Sequence, residues 1–153
     1  MKVEKPEIIE GGFYEDFRGI IQYVNDFHFE NVRRFYLITH PEKSIIRAWQ
    51  GHQQETKSFY VTKGSFVVAW VKIDHFENPS QDLKAEHIIL KASESKILTL
   101  PPGYANGLNS LEPNSQIMVF SDYLLNESLD NKYRFDKDLW FNWNLFIRSI
   151  EPD

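Results

Sequence analysis

What most limits the folds open to this chain is a rhythm. Short runs of β-branched and aromatic residues recur about every 8–12 positions, each stopped by turn chemistry. The runs are 20–24, 34–39 (RFYLIT), 45–49 continuing toward His52, 57–62 (KSFYVT), 65–73 (SFVVAWVKI), 85–90, 96–100 and 116–121 (QIMVFS). Between them stand Pro41-Glu-Lys-Ser, Lys63-Gly64, the loop 76–82 (FENPSQD) and Pro101-Pro102-Gly103. Proline halts a strand because it lacks the ladder N–H, and glycine because it favours turns. Lys63-Gly64, flanked by two apolar runs, predicts a hairpin. Runs at this spacing, with turn chemistry between them, predict a sandwich or barrel rather than a βαβ fold. Residues 121–143 alone leave room for a short helix.

The 153 residues fit one domain, 1–153. A chain of that size buries roughly 70% of its unfolded surface, enough core to stand without staples. There is no cysteine. Disulfides, thiolate metal sites and Cys nucleophiles go together, and a cytoplasmic setting is expected. No apolar run approaches the ~18 residues of a membrane helix, and the opening MKVEKPEIIEGG has no signal-peptide core. The net charge of −5 is spread along the chain. It argues against nucleic acid as a partner but leaves a local basic pocket open. Aromatic residues make up 15% of the chain, which suits a β-rich core.

Candidate site residues follow from strand periodicity. Side chains two apart on a strand share a face, so Gln50 and His52 point one way and Trp49 and Gly51 the other. A hairpin at Gly64 would bring Lys57 near that face. The Pro101-Pro-Gly-Tyr-Ala-Asn106 turn would deliver Asn106 to the interior.

This spacing resembles the cupin pattern, whose first motif runs His-x-His, Glu, Gly and whose second is Pro-x-Gly-x-x-His. The resemblance implies a double-stranded β-helix, a jelly-roll barrel. Here the ligand positions read Gln50, His52, Lys57 and Asn106. Two neutral amides, a cation and one imidazole do not hold a divalent metal. No metal and no cofactor are expected.

A metal-free cupin with that lysine resembles the dTDP-4-dehydrorhamnose 3,5-epimerase family and the related dTDP-sugar 3,4-ketoisomerases, over residues 10–143. Asp16-Phe-Arg18-Gly19 resembles the family's Asp-x-Arg-Gly, and Arg47-Ala-Trp-Gln50 its Arg-Gly-Leu-His. Lys57 falls on the strand lysine, and Pro102-Gly-Tyr-Ala-Asn106-Gly107 on Pro-Gly-x-Ala-His-Gly. Asp136 to Trp143 (DKDLWFNW) resembles the closing Asp-Pro-x-Leu-x-Ile-x-Trp. The resemblance implies a nucleotide-linked 4-keto-6-deoxysugar, proton abstraction alpha to its ketone, a role in polysaccharide biosynthesis and a homodimer. It makes Arg47 and Lys57 candidates for the enolate oxygen, Arg18 for phosphate, and Gln50 and Asn106 for sugar contacts.

The sequence also departs from the family. The family's base is a histidine where this chain has Gln50, and an amide cannot take a proton from carbon. The family's acid is a tyrosine that falls on Tyr123 or, one residue on, on Leu124. His52, on the face of Gln50, is the replacement base, with Asp136 as its orienting carboxylate. Two functions therefore compete: a metal-independent epimerase or isomerase, and a non-catalytic barrel that keeps the nucleotide-sugar pocket. Structural roles stand beside each pick. Arg18 can cap a turn with Asp16, Lys57 can blunt a strand edge, Asn106 can hold its own turn, and Tyr123 can be a core aromatic.

Overall fold

Alternation along the apolar runs builds two stacked antiparallel sheets. The structure, a computed structural model, describes residues 3–130 and 132–151. The strands are β1 (Glu7–Glu10), β2 (Gly12–Asp16), β3 (Gly19–Tyr23), β4 (Arg34–His40), β5 (Ile46–His52), β6 (Lys57–Lys63), β7 (Ser65–Lys72), β8 (Glu86–Lys91), β9 (Lys96–Leu100), β10 (Tyr104–Ser110) and β11 (Ser115–Ser121). Helix α1 (Leu125–Asp130), strand β12 (Lys132–Arg134) and helix α2 (Trp143–Ile150) follow. One sheet has the order β1-β9-β6-β11-β4, the other β12-β5-β10-β7-β8, and β2 and β3 form a separate hairpin. This is the expected all-β jelly roll of the cupin type, with a short helical C-terminal part.

The inner faces meet in one core. Phe59, Val61, Leu98, Leu100, Ile117 and Val119 come from the first sheet; Phe66, Val68, Trp70, Leu90 and Leu108 come from the second. At roughly 1.5–3 kcal/mol for each large apolar side chain withdrawn from water, this layer is the main reason the sheets stay together.

The Lys63-Gly64 hairpin is not what forms. Strand β6 pairs with β9 and β11, and β7 with β8 and β10, so the turn carries the chain from one sheet to the other. Gly64 has φ +71°, and a Cβ there would lie 2.2 Å from Ser115 Oγ. The dipeptide is a turn signal, but it does not say whether the strands it joins will pair. Lys57 therefore faces β5 across the barrel instead of lying beside it.

Strand β10 and helix α2 were not anticipated as such. The Pro-Pro-Gly stop predicts a turn reaching to Asn106, whereas Tyr104 already starts a seven-residue strand. Helix α2 begins where Asn142 accepts a bond from the Leu145 N–H at 2.9 Å. Trp143 and Ile147, one turn apart, are its buried residues. Trp143 closes a second core with Trp49, Val67, Ala69, Val71 and Ala105 on the outer face of the second sheet. Gly107 makes the approach possible, since a Cβ on it would sit 2.6 Å from the Trp143 ring. On the first sheet Phe27 and Phe29 pack on Phe120, but Phe35 and Leu37 of β4 are exposed, as are Phe13, Tyr14, Ile20 and Ile21 of the β2–β3 hairpin.

Candidate functional site

A cavity of about 730 Å³ opens between the sheets where β4 and β5 face each other, with α1 and β12 at one end. Neighbouring strands supply it in register. On the first sheet Arg34 pairs with Ser121, and Ser121 with Lys57. On the second, Arg134 pairs with Gln50, and Gln50 with Asn106. Arg34, Lys57, Arg134, Gln50 and Asn106 all line the cavity, so one layer of the barrel brings three cations and two amides together. Lys132 and Arg47 extend the lining to either side.

A bulge in β5 sets this up. Between the pairs Asn106–Gln50 and Leu108–Arg47, two residues of β5, Ala48 and Trp49, stand against Gly107. The peptide bond between those two residues is cis. Trp49 turns to the outer core, where its Nε1 donates to the Leu139 carbonyl at 2.9 Å. With the two bulged residues between them, Arg47 and Gln50 both line the cavity, which strict alternation would forbid.

Lys57 is 2% exposed yet reaches the cavity. Burial lowers its ammonium to about 8, as do Arg34, Arg134 and Lys132 nearby; Glu55 pulls the other way. Glu55 is itself buried, accepting bonds from the Ser121 hydroxyl and from Ser128 Oγ at 2.8 Å, and pairing with Arg34 at 3.6 Å. Arg34 also donates to the Tyr123 carbonyl at 3.0 Å and to Ser128 Oγ at 3.1 Å, and lies 4.9 Å from the Tyr36 ring centre. Burial, with Glu55 adding to it, pushes the Tyr36 hydroxyl up to about 12, against Arg34 and Arg47. Asn106 is buried, and its Oδ1 acceptor has no hydrogen-bond partner among the described residues.

The other predicted residues lie elsewhere. His52 is 1% exposed and is not part of the cavity wall. Its Nδ1 lies 2.8 Å from the Glu55 carbonyl. A carbonyl only accepts, so Nδ1 carries the proton, and Nε2 is buried with no partner among the described residues. Burial, and then Lys57, lower this imidazole to about 3. His52 follows Gln50 on β5 but lies outside the cavity lining. Asp136 is exposed and accepts from the Asp138 N–H at 2.8 Å, so it does not orient His52. The Tyr123 hydroxyl donates to Gln54 Oε1 at 3.0 Å, away from the lining, and Leu124 is exposed. Arg18 is at the exposed β2–β3 turn, paired with Asp16 at 2.7 Å.

Sequence reasoning passed over Arg34, Tyr36, Glu55, Lys132 and Arg134. The first two were legible: in RFYLIT, Arg34 and Tyr36 share the face of Ile38. Glu55 left no signal, because its burial depends on serines from two distant segments.

As for metals, Gln50, Lys57 and Asn106 at the cupin ligand positions do not suit a divalent ion. Among the described residues, no three His, Asp or Glu side chains converge.

No protein-family model and no curated protein sequence matches the chain. Solved structures do. A dTDP-4-dehydrorhamnose 3,5-epimerase from Bacillus anthracis, with TDP and PPi bound, is similar at TM-score 0.74 and 20% identity, over 90% of this chain and 84% of that one. A dTDP sugar isomerase from Desulfovibrio desulfuricans is similar at TM-score 0.72 and 17% identity, over 93% and 92%. The epimerase from Legionella pneumophila in complex with dTDP-4-keto-L-rhamnose is similar at TM-score 0.72 and 16% identity, over 90% and 76%. The fold of this chain is that of the dTDP-4-dehydrorhamnose 3,5-epimerases and dTDP-sugar isomerases.

Proposed function

We propose that the cavity binds a nucleotide-linked sugar and does so without the histidine and tyrosine of the epimerase reaction. One observation carries this reading. The lining has five cations (Arg34, Arg47, Lys57, Lys132 and Arg134), two amides and, among the described residues, no carboxylate or imidazole. Guanidinium and ammonium groups suit a diphosphate, and guanidinium can grip it with two parallel bonds. Gln50 and Asn106 each offer a donor and an acceptor for sugar hydroxyls. The solved structures of this fold that hold TDP or dTDP-4-keto-L-rhamnose support the choice of ligand class.

A second reading is catalytic, and Lys57 favours it. An amine held near 8 is partly neutral at pH 7–8, as a general base must be. The neutral amine would take the proton alpha to the ketone. Arg34 and Arg134 would stabilise the enolate oxygen, and the lysine would return the proton to carbon. Catalysis would then be metal-independent and would use Lys57, not His52.

Titration calorimetry with dTDP-glucose and UDP-glucose tests the first reading; no heat with either refutes it. The second is read by incubating a dTDP-4-keto-6-deoxysugar in deuterated water. Label entering next to the ketone with wild type, but not with Lys57→Met, makes the chain an isomerase. Binding without exchange leaves it a binding barrel.

A homodimer belongs to the same proposal. Strand β4 is the edge of its sheet and shows Phe35 and Leu37 to solvent, and the β2–β3 hairpin shows Phe13, Tyr14, Ile20 and Ile21. An open apolar edge and an apolar two-stranded ribbon are each poor surfaces to leave in water.

A further inference from the structure

The cations of the cavity are not evenly spread. Lys57 lies in one register layer with Arg34 and Arg134, with Lys132 two residues along β12, while Arg47 pairs with Leu108 on the far side of the β5 bulge. Of the four clustered groups, Arg34 alone is paired with a carboxylate, and that is Glu55. Lys57, Lys132, Arg134 and Arg47 form no ion pair among the described residues. Lys57 is 2% exposed, so water does not screen it as it screens a surface lysine. Like charges crowded around a buried ammonium are unfavourable until an anion joins them.

The layer that holds this cluster is also the layer of Gln50 and Asn106. The amides suit sugar hydroxyls, so the sugar and the four cations meet at the same place. A diphosphate running toward Arg47, which is exposed at the other end of the lining, would leave them facing a neutral ring.

Building on the nucleotide-sugar reading, we infer that the sugar itself is anionic. The ligand is a nucleoside-diphosphate sugar acid whose ring carboxylate lies among Lys57, Arg34, Lys132 and Arg134, with its hydroxyls on Gln50 and Asn106. Asn106, which lines the cavity and whose Oδ1 has no hydrogen-bond partner among the described residues, takes a hydroxyl next to the carboxylate-bearing carbon through its side-chain amide. Glu55 behind the cluster keeps Arg34 in place and does not occupy the cavity.

The test is calorimetry at pH 7 with UDP-glucuronate, UDP-glucose, UDP and dTDP on wild type, Arg134→Gln and Lys57→Met. Replacing a neutral hydroxymethyl by a carboxylate in a charge-assisted site is expected to tighten binding about 10- to 100-fold. That preference is expected to fall to within a few-fold in either variant. Arg134 is exposed, so its variant remains folded even where Lys57→Met is damaged. Equal or weaker binding of UDP-glucuronate than UDP-glucose overturns the inference and leaves the nucleotide-sugar reading standing. A preference that survives in Arg134→Gln also overturns it. Failure of all four probes to bind removes both.

Discussion

Lowering the pH should report where His52 is. Its imidazole is held at about 3 in the folded chain against an ordinary 6.5, chiefly by burial. In the unfolded chain it takes a proton once the pH falls below about 6.5, and in the folded chain it does not. The unfolded state then binds more protons, so stability is unaffected above 6.5 and falls as the pH drops toward about 3. Between pH 7.5 and 4.5 the lost span is about 2 pH units at about 1.36 kcal/mol each, or about 2.7 kcal/mol from this one residue. His52→Asn isolates it. The asparagine can still donate to the Glu55 carbonyl but does not titrate. Urea unfolding of both proteins at pH 7.5, 6.0, 5.0 and 4.5 gives two stability curves. Wild type should exceed the variant most at pH 7.5, and the gap should close by about 2–3 kcal/mol at pH 4.5. A gap that stays constant means that His52 titrates as it would in water. It would then be accessible, and the removal of His52 from the candidate bases would be wrong.

Three further outcomes follow from the packing. Trp143→Ala should cost roughly 3–5 kcal/mol in urea unfolding, since it empties the contact between α2 and the outer face of the second sheet; a loss under 1 kcal/mol means that α2 is not docked. Gly64→Ala should lower stability by roughly 2–4 kcal/mol, because φ is +71° and the new Cβ meets Ser115; an unchanged melting temperature refutes that. Phe35→Lys should halve the mass seen by light scattering while leaving the melting temperature of the monomer nearly unchanged, since Phe35 is 63% exposed; a wild type that is already monomeric refutes the dimer.

The fold was legible because its determinants are local. Runs such as 65–73 and 116–121 alternate or are fully apolar, and Pro101-Pro102-Gly103 stops β9 where the structure stops it. What was not legible depends on partners far away in sequence. Whether Lys63-Gly64 joins paired strands is decided by β9, β10 and β11, which arrive later. Helix α2 was missed because Trp-Asn-Leu-Phe-Ile reads equally well as a strand; only the cap at Asn142 and the groove over Gly107 select a helix. The site divides in the same way. Gln50, Lys57, Asn106 and Arg47 line one cavity, but Arg47 does so only because of the β5 bulge, which alternation does not foresee. His52 passed the alternation test and failed on access, because alternation gives a side chain's direction but not what lies over it.

The electrostatics of the central layer constrain its chemistry more than the missing imidazole does. A group that accepts a proton from carbon becomes more positive, and Arg34, Arg134 and Lys132 all oppose that around Lys57. An imidazole at the position of Gln50, next to Arg134 in register, would meet the same opposition. The layer therefore disfavours a bare protonated base and favours a negative oxygen, whether enolate, phosphate or carboxylate. A bound anion reverses the balance, because each negative charge placed among these cations raises the proton affinity of Lys57. Any proton transfer in this cavity is thus coupled to the charge of its ligand. A neutral ligand leaves the lysine partly neutral at pH 7–8 but without an anion to hold; an anionic one is held firmly and keeps the lysine protonated. Binding is favoured by the same arrangement that restrains the base, which is why the binding reading stands ahead of the catalytic one.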